Sequence, residues 1–153
     1  PIWSERIEVV ETDLQSYSPI EKLDLVVTNP PYFRDSIRNP DIRKSAARHN
    51  DTLPSSELLD YVSRLLADNG TFQLIMPYAE GNVFIAEAAD YGFYCNSILK
   101  IRPLPSSEIR RLILNFSRNK QKLAEKFLTI GYGKRHDYTD EYKELTKEFY
   151  LKF

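Results

Sequence analysis

The sequence predicts an α/β protein built on a sheet that contains parallel strands. Three observations carry that prediction. Leu25, Val26 and Val27 form an apolar, largely β-branched run without alternation, the pattern of a strand buried on both faces of a parallel sheet. After it the apolar period switches between helix and strand: helical over 53–69, strand over 71–76, helical over 80–91, strand over 93–101 and 111–116. At 153 residues, with 42% hydrophobic and 28% charged residues, the chain is long enough for one domain with a real core and too apolar for disorder.

Taken in order, residues 1–4 read as a connector, and a start at Pro1 instead of methionine leads us to expect a piece of a longer chain or a processed product. Residues 7–10 alternate weakly and read as a strand, with Asp13 just past its end. A polar loop over 16–22 contains Pro19, and the apolar run that follows enters the stiff turn Asn29-Pro30-Pro31-Tyr32. Residues 34–50 are polar, without helical period, and rich in cations. The helix over 53–69 starts at Pro54 with Ser55 or Ser56, carries Leu58, Leu59, Val62, Leu65 and Leu66 on one face, and is closed by Gly70.

Pro77 stops the strand over 71–76, and the alanine-rich helix over 80–91 ends at Gly92. Between the strands over 93–101 and 111–116, Arg102-Pro103-Leu104-Pro105-Ser106-Ser107 makes a stiffened loop. A further strand over 123–130 leads into Gly131-Tyr132-Gly133. These glycines lack the spacing that lets a backbone cradle a phosphate, so a tight turn with the basic tip Lys134-Arg135-His136 is expected. A last helix starts at Thr139 or Asp140. Tyr142, Leu145 and Phe149 share its face, and Tyr150, Leu151 and Phe153 extend an aromatic tail expected to pack on the core.

Composition excludes several classes of function. A net charge of −1 gives no global attraction to nucleic acid, so any such binding has to come from a local patch. No apolar run approaches the ~20 residues of a membrane span, and no secretory leader is visible. The single Cys95 rules out an internal disulfide and fits a reducing cytoplasm. His49 and His136 have no partners at metal-ligand spacing, so no metal is assigned.

The turn after Val27 suits one chemistry, transfer of a methyl group to a planar amine. Such an amine is a poor nucleophile because its lone pair is delocalised. Two acceptors, one per N–H, draw the nitrogen toward a tetrahedral shape, and the Asn29 side-chain oxygen and the Pro30 carbonyl are suited to that role. Pro30 and Pro31 fix φ at both positions, and Tyr32 offers a flat face on which an unstacked base can rest. No general base is required, because the proton can leave to water afterwards. The competing reading is a proline turn with an aromatic packed behind it.

The stretch from Asp24 to Phe33 resembles the Asn-Pro-Pro-Tyr motif of S-adenosylmethionine-dependent amino methyltransferases. The flanking residues from Arg6 to Tyr17, Ala47-Arg48-His49, the segment Tyr138-Thr139-Asp140-Glu141-Tyr142, Leu145-Thr146 and Phe149-Tyr150-Leu151 resemble bacterial tRNA1(Val) adenine(37)-N6 methyltransferases. The resemblance implies a class I, Rossmann-like methyltransferase fold, with residues 1–153 as the C-terminal part of a single domain. It further implies catalytic roles for Asn29, Pro30, Pro31 and Tyr32, and cofactor contacts from Asp13, Leu14 and Asn29. Phe33, Arg34, Arg38, Arg43, Lys44, Arg48 and His49 would lie beside a bound target nucleotide, where the cations can neutralise phosphates. The implied cofactor is S-adenosylmethionine and the implied partner is tRNA.

In the resembled fold a glycine turn and an acid on the next strand grip the cofactor, and both precede Pro1 along with the first two strands. The strands over 25–27, 71–76, 111–116 and 93–101 should then lie side by side in that order. Residues 7–10 would be detached or paired with another molecule, and the bare edge at 25–27 would invite a strand-swapped or edge-paired homo-oligomer. Two alternatives remain open: the same chemistry on DNA adenine or protein glutamine, and a non-catalytic RNA-binding piece.

Overall fold

The computed structural model describes residues 4–30 and 53–150. Its sheet has five strands: β1 (Leu23–Thr28), β2 (Leu66–Pro77), β3 (Tyr94–Arg102), β4 (Arg111–Ser117) and β5 (Ala124–Thr129). They lie in the order β1-β2-β4-β3-β5. Among the described residues three helices accompany them: α1 (Ser55–Leu65), α2 (Tyr78–Asp90) and α3 (Asp140–Thr146). The first four strands take the spatial order that the resemblance implied, and β5 is added parallel to β3 at the far edge.

β1 and β2 run parallel, β4 runs antiparallel to both β2 and β3, and β5 follows β3. The carboxyl ends of β1, β2, β3 and β5 therefore share one edge of the sheet with the amino end of β4. Pro77 at the end of β2 pairs with Arg111 at the start of β4, and Arg102 at the end of β3 pairs with Thr129 at the end of β5. That common edge is the place where sheets of this kind hold ligands.

One face of the sheet carries Phe72, Leu74 and Met76 of β2 beside Leu112, Leu114 and Phe116 of β4, all buried. Leu58, Leu59 and Val62 of α1 and Phe84 and Ala88 of α2 close over them, placing the core between this face and the two helices. The α1 residues fall at helical spacing, so a single stripe of the helix meets the sheet. α2 ends in a cap that needs glycine: Gly92 sits at φ 74, and the N–H of Phe93 donates to Ala88 O at 3.0 Å.

Several expectations are corrected. The helix over 53–69 stops at Leu65, and Leu66 is already extended, with ψ 137. Leu66 is drawn into pairing with Leu23, so tertiary pairing overrides the helical spacing of this residue. The register then jumps, Leu23 opposite Leu66 and Leu25 opposite Thr71, leaving residues 67–70 as a bulge. Gly70 belongs to that bulge and does not cap α1.

β1 is not buried on both faces. It is an edge strand, with Leu25 51% and Val27 66% exposed, because no described element covers that face. Residues 7–10 form no strand, although they stand detached from the sheet as expected; Ile7, Val9 and Val10 are all exposed. Of the aromatic tail, Leu151 and Phe153 lie outside the described residues, and the described Tyr150 does not pack on the core. α3 has only seven residues, so Phe149 lies past its end and is 85% exposed, while Leu145 and Tyr150 are also open to solvent.

The bulge yields a direct test. A Cβ added at Gly70 would stand 2.8 Å from Leu66 Cγ, 2.9 Å from the Leu23 carbonyl oxygen and 3.0 Å from that of Ala67. Two of these obstacles are backbone and cannot swing away. Gly70→Ala is expected to destabilise the fold by about 1–3 kcal/mol, read from the urea midpoint. A change below about 0.5 kcal/mol would mean that the β1–β2 bulge relaxes freely.

Candidate active site

β1 delivers its last residues to the shared carboxyl edge. Thr28 pairs with Leu74, so the chain beyond it passes alongside the final turn of β2. There Asn29 is exposed and Pro30 is buried. The pair thus has a fixed base and an accessible amide, as a turn that presents Asn29 to a ligand requires. Pro31, Tyr32, Phe33, Arg34, Arg38, Arg43, Lys44, Arg48 and His49 lie outside the described residues.

α1 enters β2 at Leu66, opposite the start of β1, so its first turn lies toward the carboxyl edge. A second turn is fastened there. Gln15 Nε2 donates to Glu57 Oε1 at 2.9 Å, Leu14 packs against the core, and the backbone N–H groups of Ser16 and Tyr17 donate to Asp13 O at 3.0 and 3.1 Å. Asp13 is exposed, and its carbonyl rather than its side chain closes the turn. The sequence placed Asp13 after a strand. The structure places it at a turn that a side-chain hydrogen bond ties to α1, a link across 42 positions that no local pattern reveals.

A cavity of about 320 Å³ opens behind that turn, between residues 15–22 and Tyr61, Arg64 and Leu65 of α1. Neither Asp13 nor Asn29 borders it. Lys22 donates to the Arg64 carbonyl at its floor.

The five glycines all lie among the described residues: Gly70 in the bulge, Gly81 in α2, Gly92 at its cap, and Gly131 and Gly133 after β5. Among the described residues none forms a strand-to-helix turn ahead of β1. Burial pushes the Cys95 thiol up to about 11 and its Sγ lies 3.6 Å from Ser97 O, so this thiol is protonated and unreactive at neutral pH. Among the described residues no group of three or more His, Cys, Asp or Glu is placed to hold a metal, and no helix is long and apolar enough to cross a membrane.

Sequence reasoning overlooked the cations that the strands bring to the same edge. Arg110 and Arg111 stand exposed where β4 begins, and Arg102 at the end of β3 donates from Nε to Thr129 Oγ1 at 2.8 Å. They are separated in the sequence by the loop 103–109, and only the alternating strand directions gather them. The stiff loop after Arg102 was the one signal available.

No family model matches the chain. Among curated proteins, it is 39% identical over 149 residues to the tRNA1(Val) (adenine(37)-N6)-methyltransferase of Bacteroides thetaiotaomicron, covering 97% of this chain and 62% of that protein. It is 42% identical over 153 residues to the Bacteroides fragilis protein of the same name, covering 98% of the chain and 64% of the relative. The Flavobacterium psychrophilum protein of that name is 36% identical over 152 residues, again with 98% and 64% covered. In three dimensions the chain matches a crystal structure described as "a predicted O-methyltransferase" from Agrobacterium tumefaciens, with a TM-score of 0.63 and 19% identity over 95% of this chain and 65% of that one. That match shows the fold to be a methyltransferase's, mixed α/β. The chain spans just under two thirds of the length of the curated relatives it matches. Along almost its whole length, then, this chain is a relative of the tRNA1(Val) (adenine(37)-N6)-methyltransferases.

Proposed function

We infer that this chain carries the substrate-amine half of an enzyme that methylates the exocyclic N6 amine of adenine in tRNA, of the tRNA1(Val) adenine 37 type. The observation that supports it best is the placement of Asn29 and Pro30 at the carboxyl end of β1, in a methyltransferase fold whose curated relatives bear that name. The Asn29 side-chain oxygen accepts one amine N–H and the Pro30 carbonyl accepts the other, aiming the nitrogen lone pair at the incoming methyl. Pro31 holds the turn and Tyr32 stacks on the flipped adenine. Water takes the proton after transfer. Arg34, Arg38, Arg43, Lys44, Arg48 and His49 neutralise the RNA backbone near the target.

S-adenosylmethionine supplies the electrophilic methyl group. The described residues fit only its adenine end: the Asp13 carboxylate is free to accept from the adenine amine, with the Leu14 backbone beside it, and the absence of a glycine turn among the described residues leaves the rest of the cofactor to the remaining third of the longer relatives.

The test uses the longer protein, extended to the relatives' length, beside this 153-residue chain. Incubated with S-adenosylmethionine and unmodified tRNA, the longer protein is expected to form N6-methyladenosine, read by nucleoside mass spectrometry. Calorimetry should show cofactor binding by the longer protein only. A longer protein that binds cofactor but methylates no tRNA adenine overturns the substrate, and DNA adenine or protein glutamine becomes the better reading. Salt-sensitive RNA binding with no cofactor binding by either chain would favour a non-catalytic role.

A further inference from the structure

The outer strands β1 and β5 stand four strand spacings apart, roughly 19 Å at ~4.8 Å per step. Along the carboxyl edge between them lies a strip of cations. Arg110 and Arg111 occupy its middle, and the turn after β5 carries Lys134 and Arg135 at its far end, all exposed. Among the described residues none of the four has an acidic partner; Arg135 Nε donates instead to His136 Nε2 at 3.1 Å. The cations on the helices and at the end of α3 behave differently. Arg64 is held by Asp60 at 2.6 Å, Lys143 by Asp140 at 3.5 Å and Lys147 by Glu144 at 2.6 Å. Charge at the edge is therefore left open to an external anion, while charge on the helices is neutralised internally.

The turn that bears Lys134 and Arg135 is held in place. The N–H groups of Ile130 and Gly131 donate to Arg102 O and Pro103 O, both at 3.0 Å, locking the exit of β5 onto the exit of β3. Tyr132 N donates to Asp137 O at 2.9 Å, Asp137 N to Lys134 O at 3.2 Å, and Thr139 Oγ1 to Thr129 O at 2.5 Å. His136 adopts φ 63, a left-handed conformation costly for a residue with a Cβ, and the surrounding hydrogen bonds enforce it. A loop that merely keeps the protein soluble has no need of this fastening. Tyr132, 61% exposed beside the cations, adds a flat apolar face. Fixed cations interleaved with an exposed aromatic ring are what an RNA strand needs, phosphates on the charges and a base on the ring.

We propose that Arg110, Arg111, Lys134 and Arg135, with Tyr132, form a second RNA-gripping strip that holds the tRNA backbone on the side of the sheet remote from Asn29. It rests on the reading of the chain as part of a tRNA-modifying enzyme. At the ~3.4 Å rise of a nucleic-acid strand, the 19 Å from β1 to β5 is about five to six nucleotides, so the strip contacts RNA flanking the target adenine and not the target itself. It grips RNA that flanks the target, and it contributes to affinity without entering the chemistry.

The test compares three forms of the longer protein, and afterwards a charge-conserving fourth, by fluorescence anisotropy with unmodified tRNA across a salt series, and by steady-state methylation. These are the wild type, the double variant Lys134→Glu/Arg135→Glu, and the control Lys120→Glu/Lys122→Glu, which changes the net charge equally at the opposite edge of the sheet. The strip variant is expected to bind tRNA at least ~10-fold more weakly, with a salt slope flatter by about one to two units, while kcat at saturating tRNA stays within about twofold. The control should stay within about twofold in binding. Lys134→Arg/Arg135→Lys should restore binding, separating lost contacts from a misfolded turn. Equal losses in strip variant and control, or unchanged binding in the strip variant, overturn the proposal, as does a wild type that binds no tRNA. A wild type that binds tRNA without methylating adenine overturns the proposed activity alone, since the binding comparison still reports on the strip.

Discussion

Replacing Asn29 by alanine in the longer protein is expected to lower kcat for adenine methylation by about 10²- to 10³-fold, with KM for tRNA nearly unchanged. The reasoning begins with the amine. In the ground state adenine N6 is planar and both N–H groups can be solvated by water. The two acceptors gain most as the nitrogen becomes tetrahedral and its hydrogens carry more positive charge. An interaction that strengthens only on the way to the transition state lowers kcat when removed and leaves substrate binding alone. The fold supports a local effect, because Asn29 is exposed at the end of an edge strand and its amide contributes nothing to the core, whereas Pro30 behind it is buried. Thermal unfolding of Asn29→Ala should therefore match the wild type. Asn29→Asp keeps an acceptor oxygen and adds a charge, so partial activity is expected, above that of the alanine variant. Wild-type kcat in Asn29→Ala would remove Asn29 from the reaction and leave the turn a structural feature.

The sequence read well wherever a local pattern was also the global answer. The apolar face at Leu58, Leu59 and Val62 became part of the helical half of the core, and the strand order followed from the resemblance. It read poorly where a distant partner decided the outcome. Leu66 continues a helical stripe, yet Leu23 claims it for β2; Asp13 resembles the end of a strand, yet Glu57 of α1 fastens Gln15 beside it in a turn. Val27 looks doubly buried because its residue type suits a central strand, but burial depends on what lies over it, and a strand's own residues do not encode that. The site divides along the same line. Asn29 and Pro30 are contiguous and could be named from spacing, while Arg110, Arg111 and Lys134 come together only through the alternating directions of β3, β4 and β5.

The largest effect on stability is expected at Phe72. Its side chain on β2 is fully buried, with Phe84 of α2 and Phe93 before β3 at ring-centroid distances of 6.2 Å each, and Phe116 of β4 at 6.0 Å. Phe84 and Phe116 also meet edge to face at 5.8 Å, so the four rings form one cluster joining α2 to the middle of the sheet. Truncating Phe72 removes the central ring and leaves three others facing a cavity. Closing it would require α2 to move toward β2, and α2 is anchored at both ends: the Tyr78 N–H donates to Arg110 O at 3.0 Å and the Gly92 cap holds the other. The cavity should therefore stay open, and Phe72→Ala is expected to cost about 3–5 kcal/mol, a large share of the ~5–15 kcal/mol that holds a domain folded. Leu145→Ala, at a position 58% exposed on α3, should change stability by less than about 0.5 kcal/mol. Urea unfolding followed by tryptophan-independent circular dichroism measures both. A loss under about 1 kcal/mol at Phe72 would show that the cluster collapses around the missing ring, and that the anchors of α2 are weaker than their hydrogen bonds imply.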